Sequence, residues 1–273
     1  MSIRRRLRST ALLGLVLWMA CQPAQEDPFP PDAPRWVTKS DPVAWTESGI
    51  DATYENGRVA VQLMWHPNLE DDLHGYRLYR SDSARSGPYE WIQEIRPDLT
   101  PGADTAWIDV TAPQYRKLYY YLTAVDWAHN ESSPSDTLTY RLLAAPLPLG
   151  PSDQSVQRDT LAFRWIDRLQ AHTYTQEYVL RVDVLSTPPR TVWVVRFTQQ
   201  WYEAQTNGAP IRFPWFAPGQ SWPENVLALL AESDSLEPGL YRWKVKNISE
   251  INNATGLDEA SGESDWAFFE LLP

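Results

Sequence analysis

The chain has 273 residues, 43% of them hydrophobic, with one cysteine and a formal net charge of −11. That length allows two ordinary domains with real cores, and a lone cysteine excludes an intramolecular disulfide, so the cores must rest on hydrophobic burial. The acidic balance excludes the basic face that nucleic-acid binding needs, while fourteen tryptophans and thirteen tyrosines offer large side chains for thin cores.

Residues 1–20 combine a positive start (Arg4, Arg5, Arg6, Arg8) with an apolar run from Ala11 to Ala20. The run is too short to cross a bilayer and suits an export signal. Without those four positive charges the remaining chain carries −15. Cys21 follows the small Ala20, and the segment resembles a bacterial lipoprotein signal peptide ending at Cys21. The resemblance implies cleavage before Cys21 and a diacylglycerol on its thiol. Trp18 departs from the pattern, since leucine usually stands three residues before the cysteine, and Leu17 is one place off. An ordinary cleaved signal with a chance cysteine and an uncleaved anchor are the other two readings. Gln22, in place of aspartate, implies the outer membrane by the rule of enteric bacteria. No other stretch is long and apolar enough to span a membrane, so attachment is expected through lipid only.

Residues 21–34 read as a tether, with Pro23, Pro28, Pro30, Pro31 and Pro34. Proline-rich chain stays extended at roughly 3 Å per residue. Strand patterns follow over 35–143. Val59 to Trp65 alternates, with Val59, Val61, Leu63 and Trp65 on one face. In Tyr76 to Arg80, Tyr76, Leu78 and Arg80 share one face and Arg77 and Tyr79 the other. Tyr89 to Ile95, Ala106 to Val110, Leu118 to Asp126 and Thr137 to Leu142 complete the set. Period-2 runs spaced by Gly, Pro, Asp and Asn predict an antiparallel sandwich.

The stretches Leu69-Glu-Asp-Asp-Leu-His-Gly-Tyr-Arg-Leu-Tyr-Arg80, Tyr119-Tyr-Tyr-Leu-Thr-Ala-Val-Asp126 and Asn130-Glu-Ser-Ser-Pro-Ser135 resemble a bacterial fibronectin type III domain. The resemblance implies that Trp65 is the central core tryptophan. It also puts Leu118 at the position of the family's corner tyrosine, so that hydrogen bond is not expected here.

Pro146, Pro148, Gly150 and Pro151 mark 144–153 as a linker. Residues 154–273 read as a second, diverged fibronectin-like or immunoglobulin-like sandwich. Leu161 to Trp165 ends in another candidate core tryptophan, and Tyr178 to Leu185 and Thr191 to Phe197 alternate. Leu236-Glu-Pro-Gly-Leu-Tyr241 resembles the approach to the sixth strand of that superfamily, which makes Tyr241 the corner tyrosine. Asp265 to Leu271 reads as the last strand. The fold class expected is therefore all-β: two antiparallel sandwiches, the second interrupted by an insertion at 198–234. Within that insertion Ser221-Trp-Pro-Glu begins like a capped helix, predicted near Glu224 to Ala231.

Chemistry-bearing motifs are few. His66, His74, His129 and His172 form no metal-ligand spacing, and no serine sits in a strained elbow. An acylated Cys21 is no nucleophile. Glu70, Asp71 and Asp72 are consecutive, unlike the alternating ligands of a calcium loop, and read as a solvated turn. No cofactor and no catalysis are expected. Trp201, Tyr202, Phe213, Trp215, Phe216 and Trp222, with Arg212 among them, form the one candidate surface. Such a run either packs on its own sandwich or meets a protein partner or a glycan. The expected activity is binding or scaffolding of an envelope protein. Carbohydrate binding through residues 201–222 is the alternative, and an accessory role in a secretion or envelope assembly is the weaker one.

Overall fold

The computed structural model describes residues 28–38, 49–96, 105–157, 161–170, 173–199, 211–214, 226–231, 236–251 and 258–273. The first sandwich comprises β1 (Arg35–Trp36), β2 (Ile50–Glu55), β3 (Arg58–His66), β4 (Leu73–Ser81), β5 (Glu90–Ile95), β6 (Ala106–Asp109), β7 (Lys117–Asp126) and β8 (Leu138–Leu142). β3 pairs with β1, β2 and β6 in a small sheet, and β5-β4-β7-β8 forms the facing layer. The alternation in β3 has its expected result: Val59, Val61, Leu63 and Trp65 are all buried. They meet Tyr76, Leu78, Leu118, Tyr120 and Leu122 from the facing layer. The Trp65 ring lies edge-on to Tyr76 with centroids 5.3 Å apart. Arg80 shares the core-facing side of β4 because a partner awaits it. Its guanidinium donates to Asp109 of the other layer at 2.7 Å, and the buried Tyr120 hydroxyl donates to the same carboxylate at 3.0 Å. A charge at that depth is tolerable only when paired.

The second sandwich comprises β9 (Leu147–Gly150), β10 (Gln154–Gln157), β11 (Ala162–Ile166), β12 (Glu177–Val184), β13 (Arg190–Thr198), β14 (Ile211–Pro214), β15 (Val226–Ala231), β16 (Gly239–Ile251), β17 (Asp258–Glu263) and β18 (Ala267–Leu272). Its small sheet is β14-β11-β9 and its large one runs β15-β13-β12-β16. β17 and β18 pair in succession along β16, and β10 lies parallel to β18. The core joins Trp165, Trp193 and Trp243 to Phe163, Tyr178 and Phe197. The corner tyrosine is present: the Tyr241 hydroxyl donates to the Glu237 carbonyl at 2.6 Å.

Three expectations change. Leu147–Gly150, inside the expected linker, is a strand paired with β11. It is an edge strand, where Pro148 leaves no ladder bond unmade on the open side. The predicted helix near Glu224 to Ala231 is instead a strand, Val226–Ala231, antiparallel to β13. A short apolar run such as Val-Leu-Ala-Leu-Leu-Ala has no period of its own, and the free edge of β13 offers it a ladder. The insertion thus contributes a strand to each sheet, β14 and β15. The tether also ends sooner than expected. Pro31 and Pro34 are buried, the Asp32 amide donates to Glu70 Oε1 at 2.6 Å, and Asn68 Nδ2 donates to the Asp32 carbonyl at 2.8 Å. Glu70 is therefore an anchor for that segment as well as part of a turn.

The two sandwiches share one sheet. β17 pairs in parallel with β8, Ala260 opposite Arg141 and Ser261 opposite Leu142, which makes a single eleven-stranded layer. Neighbours across a ladder point to the same side. Leu142 and Tyr140 point into the first core. Ser261 points with Lys244 and Lys246, away from Trp243 and Val245 of the second core. The two small sheets therefore cover opposite faces of the shared layer. A buried polar seam confirms the register. The Tyr140 hydroxyl and Ser261 Oγ are 2.5 Å apart, and Lys246 Nζ donates to Asp51 of β2 at 2.5 Å. Gly262 completes it, since a Cβ there would stand 2.6 Å from the Ala144 carbonyl oxygen.

Candidate functional site

Of the residues expected to form the aromatic surface, Arg212 and Phe213 have a described backbone, in β14 opposite Arg164 and Phe163. Cys21, Trp201, Tyr202, Trp215, Phe216 and Trp222 lie outside the described residues.

The described residues carry a different surface, on the outer face of β5, β4 and β7. Side chains that face away from the first core along β4 include Arg77 and Tyr79. Ladder register puts Tyr79 opposite Trp91 on one side and Tyr121 on the other. One row across three strands is therefore aromatic. Tyr79 and Tyr121 stack with centroids 4.7 Å apart and planes at 20°, and Tyr89 closes on Tyr121 at 4.6 Å. The Trp91 ring is 57% exposed. The next row is polar: Arg77 stands opposite Glu94 and Thr123. Its guanidinium lies 5.7 Å from the centre of the Trp91 ring, a cation–π contact.

Glu131 ties the two rows together. Its carboxylate accepts from Arg77 at 2.6 Å, Tyr79 at 2.8 Å and Thr123 at 2.7 Å. Burial pushes the Glu131 carboxyl up, but these three donors outweigh it and hold the group below its usual range. Burial, together with the bond to Glu131, pushes the Tyr79 hydroxyl up to about 12, so it is a fixed donor at neutral pH. The surface is thus preorganised. Its tyrosine rings are held by one another, and Arg77 and Glu131 are paired within the patch. A bulge between Leu78 and Tyr79 bends the ladder under the row.

This chemistry suits recognition. Among the described residues no group of three or more His, Cys, Asp or Glu side chains is placed to hold a metal ion. The alternation of β4 puts Tyr79 and Arg77 on one face without saying which face is outer, and their neighbours come from two other strands, so the convergence is not visible in the sequence. The run Tyr119-Tyr-Tyr121 was the available signal: in a strand, its middle member goes to the core and its ends go outside.

The outer face of the second sandwich is built differently. Arg242 lies 3.9 Å from the Trp266 ring centre and Lys244 4.8 Å, while Asp183 accepts from Arg181 and Arg242. Burial pushes the Asp183 carboxyl up, and the two guanidinium groups more than reverse this, leaving it below the usual range. Trp266 covers this ladder, which makes it structural.

No protein-family model matches the chain. Over 79 residues it is 32% identical to the exo beta-1,2-glucooligosaccharide sophorohydrolase (non-reducing end) of Parabacteroides distasonis. That match covers 29% of this chain and 10% of the enzyme, so the likeness spans only a small part of the curated relative. An Fn3-like protein from Clostridium thermocellum is similar in structure with a TM-score of 0.28 and 20% identity, covering 40% of this chain and 90% of its own. The FN1–FN3 domains of chicken CNTN1 give 0.32 and 12%, covering 89% and 69%. The chain's own strand pairing shows small and large β-sheets packed as sandwiches.

Proposed function

We propose that this chain is a non-catalytic binding and scaffolding module of the cell envelope, lipid-anchored through Cys21, whose first sandwich presents its aromatic row to a protein partner. The observation that carries the reading is the outer face of β4, β5 and β7. Tyr, Trp and Arg are the residues most enriched among interface anchors. Here Tyr79, Tyr89, Tyr121, Trp91 and Arg77 are gathered before any partner arrives, Arg77 and Tyr79 by Glu131 and the others by ring contacts, which lowers the ordering cost of binding. The stacking also bears on ligand class. A sugar ring needs an open flat face, and Tyr79 and Tyr121 each turn one face to the other. A compact patch with a polar row beside it fits a protein better.

The test is capture from detergent-solubilised envelope by the wild-type protein and by Trp91→Ala and Tyr89→Ala, with thermal melting in parallel. Lost protein capture at unchanged melting supports the reading, and unchanged capture overturns it. Carbohydrate binding is kept as a second reading because the Trp91 ring stands open. The partial relative is named for action on glucooligosaccharide. Retention of soluble beta-1,2-glucooligosaccharide that disappears in Trp91→Ala would favour it.

A further inference from the structure

A second surface lies on the second sandwich, away from the seam. Leu185 follows β12, Leu240 is the second residue of β16 and Phe268 lies in β18. All three point away from the second core, and they are 37%, 55% and 43% exposed. The Leu185 amide donates to the Leu240 carbonyl at 2.9 Å, so the first two are neighbours. Phe268 stands opposite Arg242, one row further along. They border a groove of about 320 Å³ whose lining also includes the Tyr241 and Phe269 positions. Their rings stack at 5.4 Å on the other side of the strands, in the second core, which fixes the strands that carry the groove.

The rim is acidic. Glu270 stands opposite Leu240 and beside Ser155, whose hydroxyl donates to it at 2.7 Å. Asp153 lines the same groove, its amide held by the Phe268 carbonyl at 2.7 Å. Arg242, opposite Phe268 on this face, is already committed to Asp183 and to the Trp266 ring.

We propose that this groove docks a short segment of a second protein partner that carries apolar and cationic side chains. The apolar side chains would cover Leu240, Phe268 and Leu185, and the cations would meet Glu270 and Asp153. Charge selects this occupant. A second copy would bring the same carboxylates and a net −11 against themselves. An anionic lipid surface would meet the same repulsion. The surface is independent of the aromatic row and lies on the opposite face of the shared sheet. With the seam fixing the two sandwiches, the protein becomes a connector that holds two partners at a set distance.

The experiment uses the full chain and a dye-labelled peptide of alternating lysine and leucine, read by fluorescence anisotropy. Saturable binding is expected, weakened about tenfold by Leu240→Ser with Phe268→Ser. Glu270→Gln should reduce its salt sensitivity, and Trp91→Ala should leave it unchanged. A glutamate–leucine peptide should not bind. Phe268→Leu, which keeps an apolar side chain, should retain binding and so separates docking from misfolding. Absent binding, or binding indifferent to Leu240 and Phe268, overturns the proposal. So does a self-associated dimer broken by the same variants, or capture by neutral phosphatidylcholine vesicles that the variants abolish. Loss through Trp91→Ala alone would assign the peptide to the first surface and overturn the second.

Discussion

The Tyr241 hydroxyl pins the approach to β16 through one hydrogen bond, to the Glu237 carbonyl. A bond of this kind has a net worth of about 1 kcal/mol, and Tyr241→Phe should lower stability by about that amount in urea unfolding. Trp165, wholly buried against Tyr178, Phe197 and Trp243, is a different case. Trp165→Ala leaves a cavity and should cost about 3–5 kcal/mol, enough to threaten the second sandwich. Glu131 adds a pH dependence. Its carboxyl is held below the ordinary value of 4.5, so its stabilisation is full above that value and is lost as pH falls through the folded one. Melting temperature should therefore drop on acidification below 4.5 in the wild type. In Glu131→Gln it should be lower at neutral pH and flatter across that window. An equal acid slope in both proteins would remove Glu131 as its source.

At the scale of elements, strand identity followed ladders as much as propensity. β15 contains Leu and Ala, both good helix formers, yet it pairs with β13 from Trp193 to Phe197. The edge of a sheet leaves backbone groups to be satisfied, and a neighbouring apolar run satisfies them. β17 depends on close approach. The Leu143 amide donates to the Ser261 carbonyl at 2.9 Å, and a Cβ at Gly262 would lie 2.8 Å from the Leu143 carbonyl oxygen. Both obstructing atoms, here and at Ala144, are backbone, so they cannot rotate away. Gly262→Val should push β17 off β8 and speed hydrogen exchange at the Leu143 amide, with the β16 amides in the second core unchanged. Unaltered exchange at Leu143 would mean that the parallel pairing tolerates the side chain.

Across the whole molecule the seam decides behaviour. Lys246 and Asp51 come from different sandwiches, and both are largely buried. Removing one partner strands the other charge, so Lys246→Met should cost about 3–5 kcal/mol. Asp51→Asn added to it should recover part of the loss, because no unpaired charge is then buried. Two chemical-denaturation transitions in Lys246→Met, against one in the wild type, would show the seam coupling the two cores. A wild type that already unfolds in two steps would refute that coupling.

The sequence by itself determined the residues that line each core. Trp65 and Trp165 end alternating runs, and Arg80 shares a face of β4 with Tyr76 and Leu78. Tyr241 stands in an approach motif that closes within four residues. All of these are local facts, written in a period of two or in a short turn. Only the tertiary structure decided what depends on distant pairing. It placed Leu147–Gly150 and Val226–Ala231 in sheets, joined β8 to β17, and put the small sheets on opposite faces. It also set Trp91, Tyr79 and Tyr121 in one row. A strand's pattern says which face is buried but not which strand will lie beside it. That choice falls to sheet edges seeking partners, and the outer surfaces of this protein are assembled across those edges.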